Sequence, residues 1–188
     1  MRRILRSDFF RRPTPQVARE LLGKVLVRRL PPGLPAHYRI VETEAYCGTK
    51  DLACHASRGR TRRTETMFGP AGRIYVYMIY GMHHCLNLVT AGQGEGEAVL
   101  IRAVEPLSAN ELNHQNTSGP GKLCRALRIT KQLNGMKLGR VAGLWVEDRG
   151  LSIKPKNIGV SARRGVAYAG KCAKYPWRFF IKSSDFVS

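Results

Sequence analysis

Acidic residues are scarce in this chain. Only 13 Asp and Glu stand against 32 Lys and Arg among 188 residues, a formal charge of +19. The basic residues are spread along the sequence rather than gathered in one block, so the folded surface itself should be positive. That favours nucleic acid as a partner, or less often an anionic membrane face. Long apolar runs are missing too: none reaches the roughly 18 residues of a membrane span. The opening Met1-Arg2-Arg3-Ile4 lacks the apolar core of a secretory signal. The five cysteines, Cys47, Cys54, Cys85, Cys124 and Cys172, are odd in number and form no CxxC pair. This argues for a reducing compartment and against a disulfide framework. Cytoplasm is therefore expected, the nucleoid in a bacterium or the nucleus in a eukaryote. The Cys and His spacing around residues 54–55 and 83–85 matches no zinc module. Residues 118–122, SGPGK, are too few and wrongly spaced for a nucleotide-binding loop. Neither a metal nor an organic cofactor is expected.

What is present is a normal globular fraction of apolar residues, 43%, over a length that one domain, 1–188, accommodates. Its most unusual stretch is 73–89, RIYVYMIYGMHHCLNLV. Tyr75, Tyr77 and Ile79 alternate with Ile74, Val76 and Met78, as on a strand. Gly81 can take the positive φ of a tight reversal, and an apolar strand returns from His83. The reading is a β-hairpin with Tyr80 and Met82 at its tip. Hairpin tips are normally polar because they sit in water. A large apolar tip on a basic protein suggests a wedge between base pairs. The alternative is that Tyr80 folds back onto the protein's own core.

The informative carboxylates lie in 39–46, RIVETEAY, where Glu42, Glu44 and Tyr46 share one face of an extended chain. They could line a site or merely an exposed strand edge. Asp51, Cys54 and His55 follow, as on a short helix, and then four arginines in six residues, Arg58, Arg60, Arg62 and Arg63. That loop suits phosphate contacts, the alternative being a solvated basic loop. Arg102 interrupts the apolar strand 98–104 and needs an acidic partner, with Glu42, Glu44 and Glu105 as candidates. Thr14-Pro15 reads as an N-cap followed by proline, opening a helix that Gly23 ends. A second helix is expected from 118 to about 129. Its glycine-rich start with Lys122 could hold a phosphate. Strands are expected at 24–30, at 144–146 and at 177–181, and segment 107–117 as a loop or frayed helix.

A basic surface, an apolar tip and aromatics near a carboxylate suit an enzyme that flips a base from DNA and cuts its glycosidic bond. The target atom is inaccessible inside a duplex, so the base must leave the stack. The bond breaks through a sugar cation, which a carboxylate can stabilise while it deprotonates water. A non-catalytic nucleic-acid-binding module explains the charge equally well, but not the carboxylate with its aromatics.

RIVETEAY, Cys54-His55, MFGPAGRIYVYMIYGMHHCLN, LIRAVEPL and SGPGKLCRAL resemble the alkyladenine (3-methyladenine) DNA glycosylase family, over nearly the whole chain. The resemblance implies a mixed α/β fold: one domain around a curved antiparallel sheet, with a protruding hairpin that inserts into DNA. It implies that Glu44 is the general base and that Arg102 helps position its water. Tyr46, His55 and Tyr77 would hold the flipped base, with Val166 and Ala167 also lining the pocket. Asn87 would disfavour guanine by crowding its exocyclic amine. Tyr80 would be intercalated with Met82 beside it, and Lys122 would meet a phosphate; Arg58 and Arg60 of the arginine loop are expected to meet phosphates on charge alone. The implied substrates are 3-methyladenine, 7-methylguanine, hypoxanthine and ethenoadenine in double-stranded DNA. No lysine lies in the Glu44 or Tyr77 segments, so a monofunctional enzyme, acting as a monomer, is expected.

Overall fold

A computed structural model describes residues 2–30, 32–108 and 116–188 of the chain. Its centre is the long strand β3, Ala36–Cys47. Around it lie β1 (Arg3–Ile4), β2 (Val25–Arg28), β4 (Ile74–Ile79), β5 (His83–Thr90), β6 (Glu97–Pro106), β7 (Leu144–Asp148), β8 (Ile158–Ser161) and β9 (Arg178–Ile181). The path β1-β7-β2-β3-β6-β5-β4 is antiparallel throughout and curls into a half-barrel. Strand β9 pairs with both β3 and β8. The single-domain mixed α/β expectation holds. The short strands β1 and β8, with few residues to show alternation, escaped sequence reading.

One irregularity in β3 decides where its carboxylates point. Ile40 pairs with Val104 but Glu42 with Ala103, which leaves Val41 unpaired on β3, and Thr43 then pairs with Ile101, which leaves Arg102 unpaired on β6: a β-bulge that involves both strands. A bulge shifts the side-chain alternation by one. Before it, Tyr38 and Ile40 face the main core; after it, Val41 and Ala45 do. Thr43 points the same way, its hydroxyl donating to the Ala18 carbonyl of a packed helix at 2.8 Å. Glu42, Glu44 and Tyr46 are thereby turned to the opposite side. At the same place β2, which pairs with residues 36–39, gives way to β9, which pairs with 42–44.

Three short α-helices and five 3₁₀ helices complete the described elements; the α-helices are α1 (Ser7–Phe10), α2 (Thr14–Glu20) and α3 (Pro120–Ala126). Helix α2 packs on β3, β6 and β9, and α3 on β5 and β6. Thr14 does not cap α2 as expected. Pro13 holds the cap position, and the buried Thr14 hydroxyl instead bonds Thr90 (2.6 Å) and Glu97 (2.5 Å), tying α2 to the sheet. Helix α3 is also shorter than the expected 118–129. It ends where Arg128 adopts a positive φ of 48°. Most of segment 107–117 lies outside the described residues. No helix among those described is long and apolar enough to cross a membrane.

The hairpin β4–β5 forms as expected, with Ile79 paired to His83. Its turn is closed by the Met82 N–H donating to the Ile79 carbonyl at 3.2 Å. Tyr80 and Gly81 both have positive φ, 53° and 70°, the requirement of a type I′ turn. Glycine accepts this freely; a bulky tyrosine does so at a cost of roughly 1–2 kcal/mol. Tyr80 is 81% exposed and Met82 69% exposed, so neither folds back onto the core.

Candidate active site

Beside the hairpin lies a cavity of about 360 Å³, near the lower limit for small-molecule pockets. Its aromatic wall is Tyr46 from β3, His55, and Tyr75 and Tyr77 from β4. These rings are supported from beneath by a small apolar cluster that includes Cys54, Met67, Phe68 and Val89. The His55 ring meets Tyr77 edge-on, with centroids 4.4 Å apart. Its Nδ1 lies 3.0 Å from the Tyr75 hydroxyl. Burial first, then the charges of Arg63 and Arg58, lower the His55 pKa to about 4, so its imidazole is neutral at physiological pH. Burial likewise pushes Tyr75 up to about 12 and Tyr77 well above the ordinary phenol range. The wall is thus uncharged.

The floor carries charge. Glu44 is fully buried and lies just behind the cavity surface, with each of its partners on the lining. Its Oε2 accepts from the Tyr46 hydroxyl at 2.8 Å. Its Oε1 accepts from the Arg164 amide at 2.8 Å and faces Arg102 Nη1 at 3.3 Å. A carboxylate offers about four acceptor positions, so one remains beyond these three.

Arg102 finds both Glu42 and Glu44; the third candidate, Glu105, pairs with Arg39 instead. Glu42 receives Arg102 Nε at 2.9 Å and Arg178 Nε at 2.6 Å on one oxygen. The Ser188 amide (2.7 Å) and hydroxyl (2.8 Å) donate to the other. Burial alone would raise the Glu42 carboxyl, but the Ser188 amide, Arg178 and Arg102 outweigh it, leaving it below the ordinary carboxylate range. For Arg102 burial opposes the charge, and Glu44 and Glu42 more than restore it.

Behind Tyr46 the Arg163 guanidinium stacks 4.8 Å from the ring centroid. It is held by Asp51 at 2.5 and 2.8 Å. Asp51 also accepts from the Cys47 and Ala53 amides, so it orders the loop that leads to His55. The Asn87 side-chain amide is fixed by the Tyr75 and Cys85 carbonyls, each at 3.3 Å.

The structure therefore gathers Tyr46, His55, Tyr77, Asn87, Arg102 and Val166 around one cavity with Glu44 beneath it. Tyr80 stands at the rim, and Met82 beyond it. Ala167 departs from expectation: it opens a 3₁₀ turn, is exposed, and does not line the cavity, whereas Tyr168 does. Arg58 and Lys122 are exposed. Lys122 follows Pro120 and Gly121 at the cavity mouth, where a side chain on Gly121 would crowd His83 at 3.1 Å. Arg60 is exposed but already engaged by Glu65, at 2.6 and 2.8 Å. Sequence reading missed Arg178, Arg163, Ser188 and the Arg164 amide. Arg178 carried the same signal as Arg102, a charge inside an apolar strand. The others carried none, because their partners are more than 110 residues away.

A family model described as methylpurine-DNA glycosylase matches residues 8–185. Similar curated proteins carry the provisional name 3-methyladenine DNA glycosylase. One from Methanocella arvoryzae is 52% identical over 98% of this chain and 96% of its own length. One from Bdellovibrio bacteriovorus is 47% identical over 98% of both chains. A third, from an Anaeromyxobacter species, is 51% identical over 98% of this chain and 92% of its own.

Proposed function

The chain belongs to the methylpurine-DNA glycosylase family and is a DNA glycosylase of the 3-methyladenine type, and we propose that it flips damaged purines from duplex DNA and hydrolyses their N-glycosidic bond. One observation carries this reading: the fully buried Glu44, salt-bridged to Arg102 and backed by Glu42, lies beneath a cavity with an uncharged aromatic wall. Such a floor is of little use to a protein that only holds DNA. A flipped purine would stack among Tyr46, His55 and Tyr77 while Tyr80 and Met82 fill the gap it leaves. As the glycosidic bond lengthens, positive charge develops on the sugar above Glu44, where a preorganised carboxylate is most effective. A water in the fourth acceptor position of Glu44 would lose its proton to the carboxylate as it attacks the sugar carbon.

The candidate substrates are 3-methyladenine, 7-methylguanine, hypoxanthine and ethenoadenine. Stacking of a cationic base on Tyr46 and Tyr77 contributes about 0.5–2 kcal/mol per contact. Each ring already carries a guanidinium, Arg163 at 4.8 Å and Arg63 at 5.6 Å, which places the effect toward the lower end. The described cavity lining contains no lysine, which supports a monofunctional enzyme that leaves an abasic site without a Schiff base. Exposed Arg58 and Lys122 would meet phosphates, and Arg60 could do so on release from Glu65.

The test is single-turnover base release from duplexes carrying hypoxanthine or ethenoadenine and from methylated DNA, wild type beside Glu44→Gln. Release by wild type and a loss of about 10³-fold in the mutant are expected, with lesion-duplex affinity kept. No release of any of these bases by wild type would sink the reading.

A further inference from the structure

Arg102 is a poor anchor for Glu44 unless something fixes Arg102 itself. An arginine side chain has about four rotatable bonds, and a guanidinium that can swing presents no defined edge. Here all three guanidinium nitrogens are engaged: Nε with Glu42 (2.9 Å), Nη1 with Glu44 (3.3 Å) and Nη2 with the Ser188 hydroxyl (3.1 Å). Ser188 is the meeting point of this network. Its amide and hydroxyl both donate to Glu42, and its backbone oxygen accepts from Arg178 Nη2 (2.9 Å) and Arg164 Nη1 (3.2 Å). One residue thus joins β3, β6, β9 and the 164–166 loop. That loop supplies the amide bonded to Glu44 and also lines the cavity. The segment that carries Ser188 is seated by Phe186, whose ring packs against the main core.

We propose that Ser188 is a positioning residue for the glycosylase reaction: through Glu42, Arg102 and Arg164 it fixes the edge of Glu44 that stabilises the sugar cation. It touches neither the cavity nor the damaged base. Its loss should therefore leave lesion binding intact and slow only the chemical step. This inference rests on the glycosylase reading above, with Glu44 as the acting carboxylate.

The experiment compares single-turnover base release and lesion-duplex Kd for wild type, Ser188→Ala, Ser188→Thr and a chain lacking residues 185–188. Ser188→Ala should lower the release rate about tenfold, the kinetic equivalent of one hydrogen bond to a charged group, with Kd within twofold of wild type. Ser188→Thr keeps the hydroxyl at a half-exposed position and should restore the rate. The deletion also removes the amide donor and should cost about 100-fold. A Ser188→Ala enzyme as fast as wild type would overturn the proposal while leaving the glycosylase reading intact. So would a slow one that threonine does not rescue, because that marks general loosening. If the deletion unfolds, the alanine and threonine pair decides alone. Wild type inactive on every lesion duplex overturns the parent reading, and this one with it.

Discussion

Strand β3 and the tip of the β4–β5 hairpin face the same cavity but break the burial rule in opposite directions. Past its bulge, β3 carries Glu42 and Glu44 with no solvent exposure at all. The hairpin tip holds Tyr80 and Met82 almost wholly in solvent. A buried charge is tolerated only when it is paired and hydrogen-bonded, and β3 meets that condition with Arg102, Arg178, Ser188, Tyr46 and the Arg164 amide. An exposed apolar tip has no such compensation within the free protein, and its tyrosine even sits in a left-handed conformation. The contrast teaches that the two departures serve different partners. On the proposed reading, the carboxylates are satisfied by this chain and would serve the chemistry, whereas the tip would be completed by the DNA it enters.

Breaking the buried side should have the largest effect. Replacing Glu42 by Leu leaves Arg102 and Arg178 without their shared carboxylate. A loss of about 3–5 kcal/mol in urea unfolding is expected, because the residual charges remain desolvated. If stability were unchanged, the network would be ornamental. Breaking the tip should do the reverse. With Tyr80 and Met82 both changed to Ala, duplex base release should fall by about 10- to 100-fold, the equivalent of losing two buried apolar contacts. Melting temperature should not move, and release from a single-stranded oligonucleotide should be spared. Equal loss on both substrates would contradict a wedge.

Sharper still is Tyr80→Gly. It relieves the positive φ, so the free protein should gain about 0.5 kcal/mol in chemical denaturation while duplex excision falls. A variant that is more stable and less active would show that the strain is retained for function.

The smallest effect at neutral pH, growing only in acid, concerns the neutral wall between the two regions. The folded-state pKa of His55 is depressed to about 4, against an ordinary 6.5. Below about pH 6.5 the unfolded chain takes up a proton that the folded chain refuses, so this group's contribution to stability declines as pH falls from about 6.5 to about 4 and is constant below. His55→Gln should flatten that part of the stability–pH curve. An identical slope in the variant would remove His55 as its source.

Much of this molecule was legible in its residues. The alternation of Tyr75, Tyr77 and Ile79 placed the aromatic wall on one face of a strand, and Gly81 placed the turn. RIVETEAY put Glu42, Glu44 and Tyr46 on a common side, and the charge excess pointed to an anionic partner. These are local periodicities and sums, which a sequence carries directly.

Other features exist only in three dimensions. Which side of β3 faces the cavity depends on the Val41 bulge, a property of pairing with β6 and not of the strand's own sequence. That Arg102 takes Glu42 and Glu44 rather than Glu105 follows from strand register. Arg163 behind Tyr46, the Arg164 amide on Glu44 and Ser188 on Glu42 each join residues more than 110 positions apart. The physical reason is the same throughout. A hydrogen bond or ion pair depends on distance in space, and the chain encodes that distance only through the whole packing of its sheet.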